Sequence, residues 1–479
     1  MFSEIADILR TWSAGDNKIV VTAALAAMAC ALPGNFLVVR RQSMMGDALS
    51  HTVLPGIVIA FLLAHKLQDV GGVDLLGQQA STHAILFGGA LAMGVLAAVL
   101  TEWVQKYGRV ETTAALGVVF TSLFALGLLL LRLLADSVHI DPSCVLLGRI
   151  ESFMSSPQTI PPAAVQNGVV LIINLILTFV LFKELRLCAF DPALANSLGV
   201  NATWMHYGLM AVTAATLVAA FETVGSILVI AMLIVPPATA YLLTDKLPVM
   251  IGLSLVIAAF SAVAGHALAI TVPAIIFSRL GFPTVDDAST AGMTALTGGF
   301  VFAAAMFLGP RYGIVSKWIG RIALASRIAR EDMLGRLYRA EEGGASGVAA
   351  DQLRLLASES PWFARWTIAQ LRWFNLIRAS GSGEYLLTEQ GRLSAFELIR
   401  SHRLWESYMA KHFDLPPDHL HDAAERVEHF LDPSMRSQLA EEVPSATDPH
   451  GRAIPAEPPP RGESPPANEA NADRTRRKQ

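Results

Sequence analysis

The first residues able to do chemistry stand in the run M-G-D-A-L-S-H-T-V-L-P-G at residues 45–56. Asp47 and His51 are four apart, so a helix would place both on one face within an otherwise apolar segment. An ionisable pair at membrane depth costs a few kcal/mol unless it is paired or wet. A carboxylate beside an imidazole suits a borderline divalent ion such as Mn, Fe or Zn; Ca and Mg prefer oxygen alone. Pro55 lacks the N–H that would bond the carbonyl of His51, so a bend lining a cavity is expected there. The same residues also permit a plainer arrangement, with Asp47 capping its helix and His51 bonded to a neighbour. Near the other end, Glu425, Glu428 and His429 lie at i, i+3 and i+4, and His402 and Glu406 repeat the i, i+4 spacing. Two such faces packed together would make an N/O site for Mn(II) or Fe(II), although charges on solvated helices share this spacing.

The elements that must hold these residues divide the chain. Of 479 residues, 53% are hydrophobic and 16% charged, too apolar for one soluble domain and too charged for a membrane protein throughout. Residues 1–310 hold 13 Lys/Arg and 17 Asp/Glu, against 23 and 23 in residues 311–479. The expected plan is a transmembrane domain at 1–310, a basic amphipathic linker at 311–330, a second domain at 331–455 and a disordered Pro-rich tail at 456–479.

Nine apolar stretches approach the roughly 20 residues needed to cross a bilayer. They run near 17–39, 45–64, 83–104, 113–134, 166–183, 203–220, 223–244, 247–271 and 291–310; only Phe221 and Glu222 separate the sixth from the seventh, which leaves eight spans open. Residues 1–18 lack a positive flank, so the first stretch is expected to be a retained helix and not a signal peptide. Arg40, Arg41, Lys106, Arg109, Lys183, Arg186, Lys246 and the basic run from Arg311 fall in alternate loops. The positive-inside rule then puts the N-terminus outside and the C-terminal half in the cytoplasm of a cell whose plasma (inner) membrane the chain crosses repeatedly. Pro236 and Pro237 remove two backbone donors inside the seventh stretch and predict a hinge or gate, or else a static kink. His266 is expected to be a hydrogen-bonded packing residue; Glu222 is a weaker candidate. The outer cluster Asp136, His139 and Asp141 either receives metal or is a solvated acidic loop.

A net charge of −4 offers no global basic field for nucleic acid. Three scattered cysteines make no framework or Cys-based zinc site, and no G-K-[ST] phosphate cradle occurs, so any ATP chemistry needs another polypeptide.

The run F-L-V-V-R-R-Q-S-M-M-G-D-A-L-S-H-T-V-L-P-G (36–56) resembles the signature of the integral-membrane permease of manganese, zinc and iron ABC importers. Similar stretches are A-L-G-V-V-F-T-S-L-F-A-L-G (115–127), F-D-P-A-L-A-N-S-L-G-V (190–200) and V-G-S-I-L-V-I-A-M-L-I-V-P-P-A-T-A (224–240), and the resemblance covers about 15–310. It implies that Asp47 and His51 bind the ion in the translocation path. It also makes Phe190, Asp191, Leu194, Leu198 and Gly199 part of the coupling helix that docks on an ABC ATPase. The implied partners are that ATPase, an extracytoplasmic metal-binding protein, and a second permease, identical or not.

In the second half, E-D-M-L-G-R-L-Y-R-A-E-E (331–342), Y-L-L-T-E-Q-G-R (385–392), S-H-R-L-W-E (401–406), A-E-R-V-E-H (424–429) and D-P-H-G-R-A-I-P (448–455) resemble iron- and manganese-dependent repressors of the diphtheria-toxin-repressor type. This implies a winged-helix unit and a helical metal-binding and dimerisation unit, with His402, Glu406, His421, Glu425, Glu428 and His429 as ligands for a regulatory Mn(II) or Fe(II). Asp332 matches a ligand position, whereas Gly335 stands where such repressors place a manganese ligand. The counterpart of the DNA-reading helix carries Trp362, Phe363, Trp366, Trp373 and Phe374, with only Arg365 and Arg372 for phosphates; packing on protein or lipid is expected, and DNA is not an expected partner.

The expected fold is thus an all-α polytopic membrane domain with an α+β winged-helix-like and helical metal-binding domain. The expected function is the permease of an ABC importer for Mn or Fe, with Zn the alternative cargo. It is not expected to be an enzyme or to hold a permanent cofactor. A second reading is a membrane-tethered metal-responsive regulator.

Overall fold

The structure is a computed structural model that describes residues 12–71, 79–134, 150–151, 160–279, 288–345, 347–349, 351–353, 360–380, 383–413, 416–443 and 447–455. Asp136, His139, Asp141, the tail 456–479 and the side chains of His51 and Glu222 lie outside that description. Two compact units divide at Lys317 and Trp318.

The first unit is helical: α1 (Ala14–Val39), α2 (Met44–Gly71), α3 (Gln79–Gly108), α4 (Thr112–Leu134), α5 (Pro162–Val180), α6 (Phe182–Phe190), α7 (Pro192–Ser197), α8 (Ala202–Leu243), α9 (Leu247–Arg279) and α10 (Thr290–Leu308). Among the described residues, seven helices are long and apolar enough to cross a membrane, with Leu228–Leu243 a shorter apolar segment. Each of the nine apolar stretches is largely helical, the fifth running past the end of α5 at Val180 into α6. The sixth and seventh share α8, whose non-helical backbone is at Gly225 (φ 77°, ψ 165°) and not at Pro236 or Pro237, which lie inside the helix. A positive φ carries no steric cost without a Cβ, which places the break at the glycine.

α1 begins with a capping box in which Ser13 and Asp16 satisfy each other's backbone donors, and it packs against α8, α9 and α5. Phe36, Leu37, Leu49, Met210, Met232 and Leu233 fill the core between these helices. Small residues set the closest approaches: a Cβ on Gly34 would lie 1.9 Å from the Leu233 carbonyl oxygen, and one on Gly56 2.4 Å from that of Gly89. The outer helices present Ile172, Ile176, Phe179 and Phe300, as a lipid-facing surface requires.

α11 (Ile314–Glu342) carries both the expected linker and the start of the expected second domain as one continuous helix. The second unit adds β1 (Val348–Ala349), α12 (Pro361–Trp373), β2 (Ile377–Ala379) and β3 (Glu384–Leu387), with an antiparallel sheet in the order β1-β3-β2. Met333, Leu337, Ile368, Leu371, Ile377 and Leu387 form its core. Beyond it lie α13 (Glu389–His412), α14 (Pro417–Val427), a 3₁₀ turn (Glu428–Phe430) and α15 (Pro433–Glu442). The β2–β3 hairpin after α12 is the wing the fold class calls for.

Candidate metal centres and transport path

Asp47 sits in the first turn of α2, half-buried and one residue after Gly46, which abuts the Leu233 side chain of α8. His51 is one helical turn further along the same helix. Pro55 is buried, and α2 stays helical through it from Met44 to Gly71. Met45, two residues from Asp47, lines a polar cavity of about 250 Å³ that also meets Gln42, Glu102, His206, Pro192 and Asn196. Pro192 and Asn196 belong to α7, so this cavity joins the Asp47 end of α2 to that short helix.

α7 is built by local chemistry. Asp191 caps it by accepting from the Leu194 amide at 2.9 Å, Pro192 supplies a preset φ at the first helical position, and Gly199 at φ 85° lets the chain turn out. Phe190 at the end of α6, Leu194 within α7 and Leu198 at its C-cap are 64%, 46% and 65% exposed, leaving apolar side chains open on and around the capped helix.

His266 is buried and tied at both ring nitrogens, to Asp16 at 3.2 Å and to Thr290 at 3.0 Å, with Trp12 edge-on at 5.3 Å. The ring links α1, α9 and the start of α10. Asp16 of α1 is its buried partner, and no spacing in the sequence marks it.

In the second unit α13 places His402 and Glu406 one turn apart, and α14 brings His421 against them. His402 Nε2 lies 3.0 Å from both Glu406 Oε1 and His421 Nδ1, and His421 Nδ1 is 2.9 Å from Glu406 Oε1. His402 Nδ1 donates to Glu428 at 2.5 Å. A second cluster forms where the 3₁₀ turn meets α11: His429 Nδ1 donates to Glu331 at 2.8 Å, and its Nε2 lies 3.2 Å from Asp332 and 3.9 Å from Glu428. Donor atoms of His402, Glu406 and His421 lie within 4.8 Å of one another, as do those of Asp332, Glu428 and His429. Such N/O sets without sulfur fit Mn(II), Fe(II) or Zn(II).

Glu425, on the same stretch, is exposed and joins neither cluster. Glu428 follows buried Leu420 and Ala424 at four-residue steps on the inward side of this segment, whereas Glu425 stands one position, about 100° of helix, away from Ala424. Gly335 is more than a missing ligand: a Cβ there would stand 3.2 Å from the Leu398 side chain, so packing fills that space. Three participants were not singled out from sequence. Glu331 reaches His429, and Asp448 and His450 form a third grouping with Glu406. Asp448 is held by amides of His450 and Arg452 at 2.9 and 2.7 Å. The quoted D-P-H-G motif was the available signal.

Both buried imidazoles face carboxylates at each nitrogen, which only the protonated ring can satisfy. Burial works against that charge, but the hydrogen bonds to Glu406 and Glu428 outweigh it and hold His402 above the usual histidine range. For His429 burial is likewise outweighed, by Asp332 and Glu331, and its pKa is pushed up to about 9. Glu406, which burial alone would raise, is instead lowered to about 2 by hydrogen bonds from His402 and His421. A metal taking one of these nitrogens displaces its proton. Below pH 9 the His429 cluster should therefore lose about tenfold in apparent Mn(II) affinity per pH unit, readable by calorimetry between pH 6 and 8. In chelator the sign reverses for stability: the contribution of protonated His429 is fully present below its unfolded pKa of 6.5 and is lost as pH rises through about 9.

The comparisons agree with these two halves. Residues 17–275 match the ABC 3 transport family, and residues 388–456 match the family described as iron dependent repressor, metal binding and dimerisation domain. The manganese transport system membrane protein MntD of Bacillus subtilis is 38% identical over 305 residues, 62% of this chain and 94% of MntD. The zinc transport system membrane protein TroD of Treponema pallidum is 38% identical over 314 residues, 64% of this chain and 77% of TroD. The solved PsaBC from Streptococcus pneumoniae in complex with Fab is 28% identical, covering 65% of this chain and 98% of that one at a TM-score of 0.48. With more than half its length matched by the family and a metal-binding repressor-type segment behind it, the chain belongs to the ABC 3 transport family.

Proposed function

We propose that this chain is the permease subunit of an ABC importer that moves Mn(II) or Fe(II), with Zn(II) as the alternative cargo, into the cytoplasm. Asp47 and His51 hold the ion in transit, and hydrolysis takes place on a separate ATPase subunit. An extracytoplasmic metal-binding protein delivers the ion, and a second permease, identical or related, completes the path. The observation that carries this reading is the cavity joining the Asp47 end of α2 to α7, beside which the capped helix leaves its Leu194 and Leu198 side chains uncovered. The cavity wall includes Met45, two residues before Asp47, and Pro192 and Asn196 of α7, so the start of α2 and the proposed drive element share one cavity. The manganese and zinc systems named for the relatives support the cargo class. The repressor-type segment, with its N/O clusters, favours manganese or iron over zinc and supports a second role as a sensor of cytosolic metal. Alternating basic loops support an outward N-terminus and a cytoplasmic second unit.

Coupling through α7 is the testable step. Leu194→Asp or Leu198→Asp places a charge where an apolar contact is proposed, without entering the permease core. In vesicles containing both subunits, uptake should fall by more than about tenfold, a coupling change above about 1.4 kcal/mol, while ATP hydrolysis continues and is no longer stimulated by metal. Wild-type uptake with metal-stimulated hydrolysis in both variants would overturn the docking assignment.

A further inference from the structure

The helix in the place of a DNA-reading element has an unused face. On α12 the residues turned into the core are Ala364, Thr367, Ile368 and Leu371, and they complete the packing against α11 and the sheet. The opposite face carries Trp362, Trp366 and Trp373, which fall within about 40° of one another at 100° per residue. Trp362 and Trp373 are 72% and 86% exposed; Trp366 is half-buried, with its ring stacked on Trp362 at 6.3 Å and 8°. Phe374 continues this surface at 52% exposure, with the Arg330 guanidinium 5.1 Å from its ring centroid. Arg365 and Arg372 flank one side of the indole stripe, and α12 contains no acidic residue.

We propose that this face is a membrane-surface anchor, seated on anionic phospholipid of the leaflet next to the second unit. Indoles concentrate at the headgroup level because an apolar body and one N–H donor suit that boundary, and flanking guanidinium groups complement lipid phosphate. DNA fits poorly, since bulky rings without base-reading donors and acceptors occupy the stripe that would have to enter a groove. Chain connectivity points the same way. α11 starts at Ile314, six residues after α10 ends at Leu308, and Ser326, twelve residues or about 18 Å of helix further on, hydrogen-bonds Gln370 of α12 at 2.9 Å. Little chain therefore separates the last apolar helix from the helix on which α12 packs. The inference requires only that the first unit is embedded in the membrane, and transport plays no part in its test.

The test uses the full chain in nanodiscs of phosphatidylcholine with or without phosphatidylglycerol, built from plain lipid or from lipid brominated near the headgroup end of its acyl chains. Subtracting the emission of the Trp362→Phe, Trp366→Phe, Trp373→Phe variant isolates these three indoles. Their emission should be strongly quenched by brominated lipid in anionic nanodiscs. Arg365→Glu with Arg372→Glu, both on the solvent side of the helix, keeps the indoles and should lower the ratio of seated to free domain by on the order of thirtyfold or more, restoring emission. Emission equal in brominated and plain anionic lipid would overturn the proposal. So would quenching unchanged in the double-Glu variant, or a blue shift that occurs only on adding duplex DNA or the ATPase.

Discussion

Asp47→Ala and His51→Ala should each abolish metal uptake while the permease still assembles with its ATPase. The expectation rests on position. Asp47 is half-buried in the first turn of α2, where a carboxylate that is not fully enclosed contributes little to apolar packing. Losing one of two protein ligands to an ion in transit should reduce its capture by at least about tenfold, and the second variant should add little once the first is present, because the two ligands act as one site. Gly46 and Gly34, which let α1 and α2 approach Leu233, are untouched by either change, so the helical packing should persist. Assembly is checked by co-purification of the ATPase. Wild-type uptake in both single variants would remove Asp47 and His51 from the path.

The second large effect concerns the fused unit. The triple variant His402→Ala, Glu428→Ala, His429→Ala removes members of both buried clusters together with the 2.5 Å hydrogen bond that joins them. The intact chain should bind Mn(II) or Fe(II) in calorimetry, and the variant should lose the binding contributed by these two clusters. In vesicles that expose this unit, added metal should slow uptake by the intact chain and leave the variant unaffected. The feedback can be no larger than the difference in metal affinity between two conformations of the unit, and tenfold corresponds to about 1.4 kcal/mol. The two arms separate sensing from structure: a triple variant that binds metal normally overturns the ligand assignment, and equal slowing of both chains overturns the regulatory role.

Much of this architecture was legible from periodicity. Long apolar runs have one low-energy form in lipid, so each of the nine stretches became largely helical. His402 and Glu406 met because one turn of α13 separates them. What escaped reading was set by tertiary geometry. Asp16 and His266 lie 250 residues apart and meet only because α1 packs against α9. Glu425 shares the i, i+3, i+4 spacing with Glu428 and His429, but the inward face is the one that buries Leu420, Ala424 and Glu428, and Glu425 lies off it. Asp448 and His450 lie on a loop with no period to read and reach Glu406 only through the fold. Pro236 and Pro237 lie within α8, and the further departure from helix at Gly225, where a positive φ has no side chain to oppose it, carries no proline to announce it.

The most direct measurement is ATP-dependent accumulation of radiolabelled Mn(II), Fe(II) and Zn(II) in vesicles holding this chain, its ATPase and the metal-binding protein. The account predicts accumulation of manganese or iron that requires ATP and is lost in Asp47→Ala. An assembled complex that hydrolyses ATP and accumulates none of the three metals, or accumulates them equally with Asp47→Ala, would contradict it.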